Sequence, residues 1–220
     1  MKAMILAAGR GERMMPLTKN IPKPLLNAKG KPLIEHSICA LKNAGITDIV
    51  INTSYLGEQI QTHLGNGKKF GVKLQYSTEQ HALETAGGII QALPLLGNQP
   101  FIIINSDILC DYDLSSLTLP TNSLAHLILV NNPEHHSNGD FFIDTEQKIN
   151  CNKNNRLTFS GIGIYRPNFF KNHIHTQSAL ALYPLLKEAI DNQQLTGEHH
   201  SGYWQDIGTP KRLELINQQI

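Results

Sequence analysis

The sequence contains little cysteine and carries almost no net charge. Its 220 residues include three cysteines, Cys39, Cys110 and Cys151, which are scattered and form no CxxC pair. Such a set offers no disulfide framework and fits the reducing environment of the cytoplasm. There are 19 Lys and Arg residues against 18 Asp and Glu, a formal net charge of +1, so no overall field attracts nucleic acid or an anionic membrane. Any anionic ligand must therefore be bound by local groups.

Long hydrophobic runs are also missing. No apolar run approaches the roughly 20 residues that a membrane-spanning helix needs. The short N-terminal run ends at Gly9 and has neither the length nor the cleavage site of a signal peptide. We therefore expect a cytoplasmic protein that binds neither membrane nor nucleic acid. With 40% hydrophobic and 17% charged residues, the chain has the composition of a globular domain with its own core.

The first half of the chain alternates between strand and helix patterns. Short apolar runs predict buried strands, and apolar residues at three- and four-residue spacing predict helices. The predicted strands are 3–8, 48–52, 72–76, 101–105 and 126–130, and the predicted helices are 32–44, 56–64 and 85–93. We expect the last of these helices to end before Pro94. This alternation predicts right-handed crossovers and a mostly parallel sheet.

The pattern changes after about residue 132. The predicted elements there are strands 141–143, 159–165 and 203–207, helices 179–190 and 209–219, a polar hairpin or loop over 147–156, and a loop over 198–200. No repeat or linker interrupts the chain. We expect one α/β domain, residues 1–220, with a Rossmann-like nucleotide-binding half (1–132) and a second half (133–220) that shapes the substrate site.

The first predicted strand runs directly into a glycine loop. At the carboxyl edge of an open α/β sheet, such a loop brings backbone N–H groups close to phosphate oxygens. Gly9 and Gly11 permit that close approach, and Arg13 adds a rigid cationic fork for phosphate. The spacing is neither the GxGxxG of dinucleotide folds nor a P-loop. Taken alone, it also fits an ordinary turn between strand and helix.

A lysine between two prolines follows this loop. Pro22 and Pro24 restrict the backbone on either side of Lys23. A rigid, extended lysine is suited to holding a phosphate in one pose. An exposed lysine in a stiff loop explains the segment equally well.

The two segments together carry a family signature. AAGRGERMMPLT at 7–18 followed by PKPL at 22–25 resembles the sugar-phosphate nucleotidyltransferase family. The resemblance continues in LETAGG at 83–88, NSD at 105–107, FSGIG at 159–163 and WQDIGT at 204–209. It implies a Rossmann-like, GT-A-like fold whose mostly parallel mixed sheet is flanked by helices. It also implies a Mg²⁺-dependent reaction in which a sugar 1-phosphate attacks the α-phosphorus of a nucleoside triphosphate and pyrophosphate leaves.

The resemblance also implies roles for individual residues. Arg13 would stabilise the leaving pyrophosphate, and Lys23 would contact the α-phosphate and the sugar phosphate. Asp107 and Asp206 would bind Mg²⁺, which takes few protein ligands and keeps much of its hydration; from the sequence alone, both aspartates also fit as helix or turn caps. The other implied nucleotide-binding residues are Ala8, Gly9, Gly11, Glu79, Thr85 and Ala86. The implied sugar-binding residues are Glu84, Asn105, Gly139, Asp140 and Gly161.

Several details resemble one subgroup of the family. The segment from His135-His136 to Gly139-Asp140, the Glu84 found where Gly is more usual, and the length of 220 residues are similar to short bacterial uridylyltransferases that act on N-acetylmuramate 1-phosphate. This implies UTP as the donor, UDP-N-acetylmuramate and pyrophosphate as products, and a role in cell-wall sugar recycling. The chain departs from the subgroup at Met15, where a second Arg is frequent. It also lacks the Glu-Lys-Pro segment of larger relatives, and with it one cationic contact to the sugar phosphate.

Other interpretations of the sequence stay open. The sugar could be glucose 1-phosphate with UTP or mannose 1-phosphate with GTP, and the chain could be an inert nucleotide-binding regulatory module or an interaction protein. The presence of Arg13, Lys23, Asp107 and Asp206 together argues against an inert scaffold. The candidates for binding the lactyl carboxylate of muramate are Arg156, Lys153 and the His135-His136 pair. The His pairs at 135–136 and 199–200 match no standard zinc spacing, and the sequence gives no signal on oligomeric state.

Overall fold

A computed structural model of the protein describes residues 1–152, 154–174 and 178–218. Within these ranges the chain forms thirteen strands and five α-helices. The strands are β1 Lys2–Leu6, β2 Asn27–Ala28, β3 Lys31–Pro32, β4 Asp48–Thr53, β5 Lys73–Thr78, β6 Phe101–Asn105, β7 Ile108–Cys110, β8 Ala125–Val130, β9 Phe142–Ile143, β10 Ile149–Asn150, β11 Thr158–Tyr165, β12 Leu195–His200 and β13 Trp204–Asp206. The helices are α1 Leu33–Asn43, α2 Gly57–Leu64, α3 Glu84–Leu96, α4 Leu182–Asp191 and α5 Pro210–Gln218. Short 3₁₀ segments are Glu12–Met14, Lys23–Leu25, Lys68–Phe70, Glu134–His136 and Pro167–His173.

A seven-stranded mixed sheet forms the centre of the molecule. Its strand order is β12-β8-β11-β6-β1-β4-β5. All neighbouring pairs are parallel except those that β11 makes with β6 and β8. The predicted mostly parallel mixed sheet flanked by helices is therefore confirmed. Strands from both predicted halves lie in this one sheet, and the division at residue 132 stays a prediction.

The strands alternate their side chains between two apolar layers. In β1, Ala3 and Ile5 are buried on one face together with Ile38 of α1, whereas Met4 is buried on the other face with Ile89 of α3. Successive side chains of a strand point to opposite faces, so a run of apolar residues needs helices on both sides. This is why the buried strands read as continuous apolar runs.

Strand β1 is the point at which the order of strands in the sheet reverses. The chain adds β4 and β5 on one side of β1 and β6 on the other. Leu6, the last residue of β1, lies opposite Asn52 and Asn105 in register. In open α/β sheets a crevice forms at such a point, outside the carboxyl ends of the strands.

A small antiparallel ladder brings distant parts of the chain to the same edge. Asp206 of β13 lies opposite Ile108 of β7, and the Ile207 N–H donates to the Asp107 carbonyl at 2.8 Å. Asp107 and Asp206 are thus neighbours across two short strands.

Some predicted elements differ from the structure. Helix α3 continues through Pro94 to Leu96, because a proline in the last turn removes only one intrahelical hydrogen bond. Residues 198–200, predicted as a loop, belong to the edge strand β12, which pairs in parallel with β8. Helix α4 begins at Leu182 rather than at residue 179. The polar segment 147–156, predicted as a hairpin or loop, does contain one strand of a hairpin, since β10 pairs with β9. Gln219, the last residue of the predicted helix 209–219, lies outside the described residues.

No helix among the described residues combines the length and the apolar character needed to cross a bilayer.

Candidate active site

A cleft of about 540 Å³ opens at the carboxyl ends of β1 and β6. Its lining includes most of the residues predicted from the glycine loop and the later family segments. These are Ala8, Gly9, Gly11, Arg13, Lys23, Glu79, Glu84, Thr85, Asn105 and Asp107. Ala86 is different, since it is fully buried and its N–H donates to the Leu180 carbonyl at 2.9 Å. The structure therefore places these ten predicted residues around a single cavity. Ala86 is buried in the core and does not line that cavity.

The glycine loop packs closely on the lysine that follows it. Gly11 has φ of +67°, and a Cβ there would fall 3.0 Å from both Lys23 Cβ and Thr18 Cγ2. The Thr18 hydroxyl donates to the Gly11 carbonyl at 2.9 Å and so stabilises the conformation of the loop. A Cβ at Gly9 would meet no atom within 4 Å, which means that the space above Gly9 belongs to the cleft.

Lys23 and Asp107 form an ion pair at the floor of the cleft. The Lys23 ammonium donates to Asp107 Oδ2, and the two side chains are 13% and 24% exposed. Lys23 begins a 3₁₀ segment, so the extended conformation expected for it is wrong; the extended residues are Pro22 and Leu26, on either side of the segment. The turn aims the amine at the end of β6, because the Leu25 N–H bonds back to the Pro22 carbonyl at 2.8 Å.

A second pocket of about 310 Å³ adjoins the cleft. It shares the side chains of Arg13, Asn105 and Asp107 with the larger cavity. Its other polar lining residues include Asp206, His135, His136 and Ser160. Two connected pockets with one cationic and one acidic residue on the shared wall can hold two anionic ligands next to each other.

Asp206 is held by two basic side chains. Its Oδ1 accepts a hydrogen bond from Arg212 Nη1 at 2.6 Å, and His135 Nε2 lies 3.0 Å from the same oxygen. The Arg212 side chain is 13% exposed. Sequence reasoning did not find Arg212, because nothing in the helix pattern of α5 distinguishes this arginine from a surface residue.

The pair of aspartates fits a magnesium site. Asp107 and Asp206 face connected pockets, and each is neutralised by one cation, Lys23 or Arg212. Mg²⁺ is bound in proteins through one or two carboxylates together with substrate phosphates and water. Across the described residues, no third His, Cys, Asp or Glu completes a compact ligand group with these two aspartates. The donor set thus matches a metal whose other ligands come from a phosphate substrate.

A buried polar pair, Asn52 and Glu79, also lines the cleft. Glu79 is 5% exposed; its Oε1 accepts from Asn52 Nδ2 at 2.7 Å and its Oε2 accepts from the Leu83 N–H at 3.2 Å. Asn52 Oδ1 accepts from the Ala7 N–H at 2.9 Å. Glu79 therefore organises the wall around the cleft. Asn52 was missed, although a buried polar residue next to the carboxyl end of β4 is a usable signal.

The N-terminus of α3 forms the rim of the cleft. Glu84 has φ of +56°, a left-handed conformation that glycine adopts most readily. A glycine would adopt this conformation without strain, in keeping with the Gly that the family resemblance leads us to expect there. Thr85 lines the same cavity.

Three predicted sugar-binding residues, Gly139, Asp140 and Gly161, do not line the second pocket, although Asp140 and Gly161 contact residues that do. The Asp140 carboxylate accepts from the Phe159 N–H at 2.8 Å and from His136 Nε2 at 2.9 Å, which orients His136. Gly161 has φ of +83°, and a Cβ there would fall 2.5 Å from Asn105 Nδ2. Gly139 also has a positive φ, with space closed by Asn132.

Other candidates lie elsewhere. The Arg156 guanidinium donates to the carbonyls of Asn152 and Cys151 at 2.8 and 3.0 Å and does not line either pocket. Lys153 lies outside the described residues. Met15 is 53% exposed and is absent from both linings.

Comparison with known proteins identifies the family. The family model described as nucleotidyl transferase matches residues 2–220. The chain belongs to the nucleotidyl transferase family. Among curated relatives of this nucleotidyl transferase, the N-acetylmuramate alpha-1-phosphate uridylyltransferase of Neisseria meningitidis serogroup B is 50% identical, over 97% of this chain and 96% of its own length.

The names of more distant relatives contain other sugar phosphates. The mannose-1-phosphate guanyltransferase of Hypocrea jecorina is 31% identical over 96% of this chain, which spans 62% of that longer protein. A crystal structure described as a glucose-1-phosphate thymidylyltransferase from Bacillus anthracis, in complex with sucrose, superposes with a TM-score of 0.87. It covers 100% of this chain and 94% of its own, at 26% identity.

Proposed function

We propose that this nucleotidyl transferase transfers the uridylyl group of UTP to N-acetylmuramate α-1-phosphate, forming UDP-N-acetylmuramate and releasing pyrophosphate. The observation that carries the proposal is the pair of adjoining pockets that share Arg13, Asn105 and Asp107. The larger one would hold the nucleotide and the smaller one the sugar. The choice of sugar and base is supported by the 50% identity with the Neisseria meningitidis relative of that name.

The reaction needs positioning and charge neutralisation more than acid–base chemistry. A phosphate oxygen of the sugar substrate forms a bond to the α-phosphorus of UTP. The bond between that phosphorus and the oxygen bridging to the β-phosphorus breaks, and its electron pair leaves with pyrophosphate. The nucleophile is already an anion, so no general base has to remove a proton. Holding the two anions side by side supplies much of the rate enhancement.

Two cationic side chains would carry out that neutralisation. Arg13 is exposed on the shared wall, where its guanidinium would bind the β- and γ-phosphates and stabilise the charge that develops on the leaving group. Lys23, mostly buried at the cleft floor, would exchange its bond with Asp107 for contacts with the α-phosphate. Gly9 and Gly11 leave room for the nucleotide beside the backbone.

Asp107 and Asp206 would hold Mg²⁺. When bound, the ion neutralises triphosphate charge and acts as a Lewis acid at phosphorus. Lys23 and Arg212 keep the two carboxylates compensated before the metal and substrate enter. We place the reaction in the cytoplasm and in cell-wall sugar recycling, in line with the free cysteines and with the sugar that the Neisseria relative's name contains.

The test measures pyrophosphate release with UTP and Mg²⁺ and compares N-acetylmuramate 1-phosphate with N-acetylglucosamine 1-phosphate and glucose 1-phosphate. We expect turnover with the muramate sugar to exceed that with the other two by at least about tenfold. Equal or greater turnover with another sugar would refute the proposed substrate and retain the reaction class. The absence of pyrophosphate release from every combination would refute the reaction.

A second candidate is guanylyl transfer to mannose 1-phosphate. It is favoured by the 31% identity with the Hypocrea jecorina enzyme. Measuring the same release with GTP and mannose 1-phosphate separates the two candidates directly.

A further inference from the structure

Three side chains with metal-binding atoms converge at a place separate from the cleft. Cys110, Asp111 and His200 present a sulfur, a carboxylate oxygen and a ring nitrogen that all lie within 4.8 Å of one another. The His200 Nε2 to Asp111 Oδ1 distance is 2.7 Å. We propose that this trio is a binding site for a divalent cation of the zinc class, distinct from the magnesium site of the reaction.

The fold holds the three residues in place from several sides. Cys110 ends β7 and lies opposite Trp204 of β13, and the Asp111 N–H donates to the Tyr203 carbonyl at 3.1 Å. His200 ends β12, with its ring 5.4 Å from that of Tyr112 in an edge-to-face arrangement. The trio therefore sits on paired strands, and the ring of His200 is fixed by packing.

A glycine makes this convergence feasible. A Cβ at Gly202 would fall 2.5 Å from the His200 ring and 2.6 Å from Asp111 Oδ1. Any other residue there would push the imidazole and the carboxylate apart. The close approach thus depends on the backbone turn between β12 and β13.

The ligand types select the metal. Zinc takes thiolate, imidazole and carboxylate ligands at about 2.0–2.3 Å in tetrahedral geometry, whereas magnesium prefers oxygen alone. Binding would replace the bond between Asp111 and His200 with bonds from both to the metal. The Cys110 thiol would give its proton to solvent as the sulfur–metal bond forms.

The fourth coordination position would face a separate cavity. A pocket of about 230 Å³ is lined by Cys110, Asp111, Tyr203 and His36. Water or a small ligand could fill the position from there. The ligands lie at 110, 111 and 200 in the chain, which is why no spacing of cysteine and histidine motifs revealed the site.

The site lies at the end of the β7–β13 ladder opposite to Asp206, and Asp107 directly precedes β7. A bound cation would link β7 to the end of β12 and so brace the ladder. We therefore expect zinc to raise the thermal unfolding temperature of the protein, because it binds the native chain and loses its site on unfolding.

Cobalt titration of the EDTA-treated full chain tests the site. Cobalt substitutes for zinc and gives a thiolate-to-metal charge-transfer absorption. We expect the band to saturate at one equivalent per chain, to be displaced by zinc, and to be unaffected by excess Mg²⁺. The band should be absent in Cys110→Ser, and His200→Gln should weaken cobalt binding at least about tenfold. Cys39→Ser and Cys151→Ser, at the other two half-buried cysteines, should retain it.

The outcomes separate this site from the catalytic one. Asp107→Asn should keep the cobalt band in full, whether or not it retains pyrophosphate release. No band in the wild-type chain, or a band that survives in Cys110→Ser, would overturn the proposal. Near-ultraviolet circular dichroism of Cys110→Ser and His200→Gln establishes that both variants are folded before their cobalt binding is compared.

Discussion

At the scale of single residues, the site is built from opposite charges that compensate each other. Lys23 pairs with Asp107, and Arg212 pairs with Asp206. All four side chains are largely buried, between 13% and 24% exposed, where an uncompensated charge is costly. The glycine loop and Pro-Lys-Pro segment made Lys23 predictable from the sequence. Arg212 was not, because its role exists only through its contact with Asp206.

Asp107→Asn should abolish most of the activity while leaving the fold intact. The amide keeps the shape of the side chain and removes the charge that would bind Mg²⁺. We expect the turnover number for pyrophosphate release to fall about a hundredfold or more, measured at saturating UTP and Mg²⁺. Asp191→Asn is the control, since Asp191 is an exposed aspartate at the end of α4. Near wild-type turnover in Asp107→Asn would disprove its role as a metal ligand.

Gly161→Ala should cost both stability and activity. Gly161 has a positive φ, which strains any residue that carries a Cβ. The added Cβ would also clash with the amide of Asn105, which lines both pockets. Gly30 is a matched control, because its φ of +82° is nearly the same and its space is open. We expect Gly30→Ala to lose about 1 kcal/mol from strain alone and Gly161→Ala about 1–3 kcal/mol more from overpacking, in urea unfolding.

The rate of pyrophosphate release is a second measurement that distinguishes Gly161→Ala from Gly30→Ala. Gly161→Ala should turn over more slowly, because Asn105 is displaced, and Gly30→Ala should match the wild type. Equal losses of stability and activity in the two variants would show that the contact with Asn105 has no consequence.

At the scale of elements, apolar runs located the centre of the sheet better than its edge. Strand β6 has the predicted bounds, Phe101–Asn105, because it is buried on both faces and bounded by polar residues. The edge strand β12 reads Leu-Thr-Gly-Glu-His-His and is half polar, so it resembles a loop. Its pairing comes from β8 and not from its own composition.

Gly197→Ala tests whether β12 contributes to stability. A Cβ at Gly197 would fall 2.7 Å from Ile149 Cδ1 and 2.8 Å from the Leu127 carbonyl. We expect a loss of about 1–3 kcal/mol in the free energy of unfolding, measured with urea. His199→Ala on the same strand should change stability by no more than about 0.5 kcal/mol, because His199 is exposed. A Gly197→Ala variant as stable as the wild type would show that β12 is loosely attached.

At the scale of the whole molecule, two histidines make stability depend on pH. Burial lowers the pKa of His126, against the opposing effect of the Glu198 carboxylate, and burial also lowers the pKa of His36. Both groups bind a proton more readily when the chain is unfolded. The stability that the two neutral histidines contribute is therefore fully present above the ordinary histidine pKa of about 6.5. This contribution is lost as the pH falls below that value towards the lowered pKa of the folded state.

The measurement is the urea midpoint at about pH 7.5 and about pH 5.5. We expect a lower midpoint at the acidic pH and a smaller difference in His126→Asn, where one of the two groups is gone. His199→Asn, at an exposed position, should show the same difference as the wild type. A midpoint that does not change with pH, or an unchanged difference in His126→Asn, would contradict the assignment.

The ladder between β7 and β13 has a consequence for how the enzyme comes into being. Asp206 pairs with Ile108 across it, and the Ile207 N–H donates to the Asp107 carbonyl, yet Asp107 and Asp206 are separated by nearly half of the chain. During synthesis, the first aspartate leaves the ribosome long before the second, and the strands β8, β11 and β12 must be made in between. With the roles proposed above, a nascent chain that has completed its glycine loop would present the proposed phosphate-binding groups without the paired carboxylates. We therefore expect nucleotidyl transfer to begin only once β13 has been made and has paired with β7.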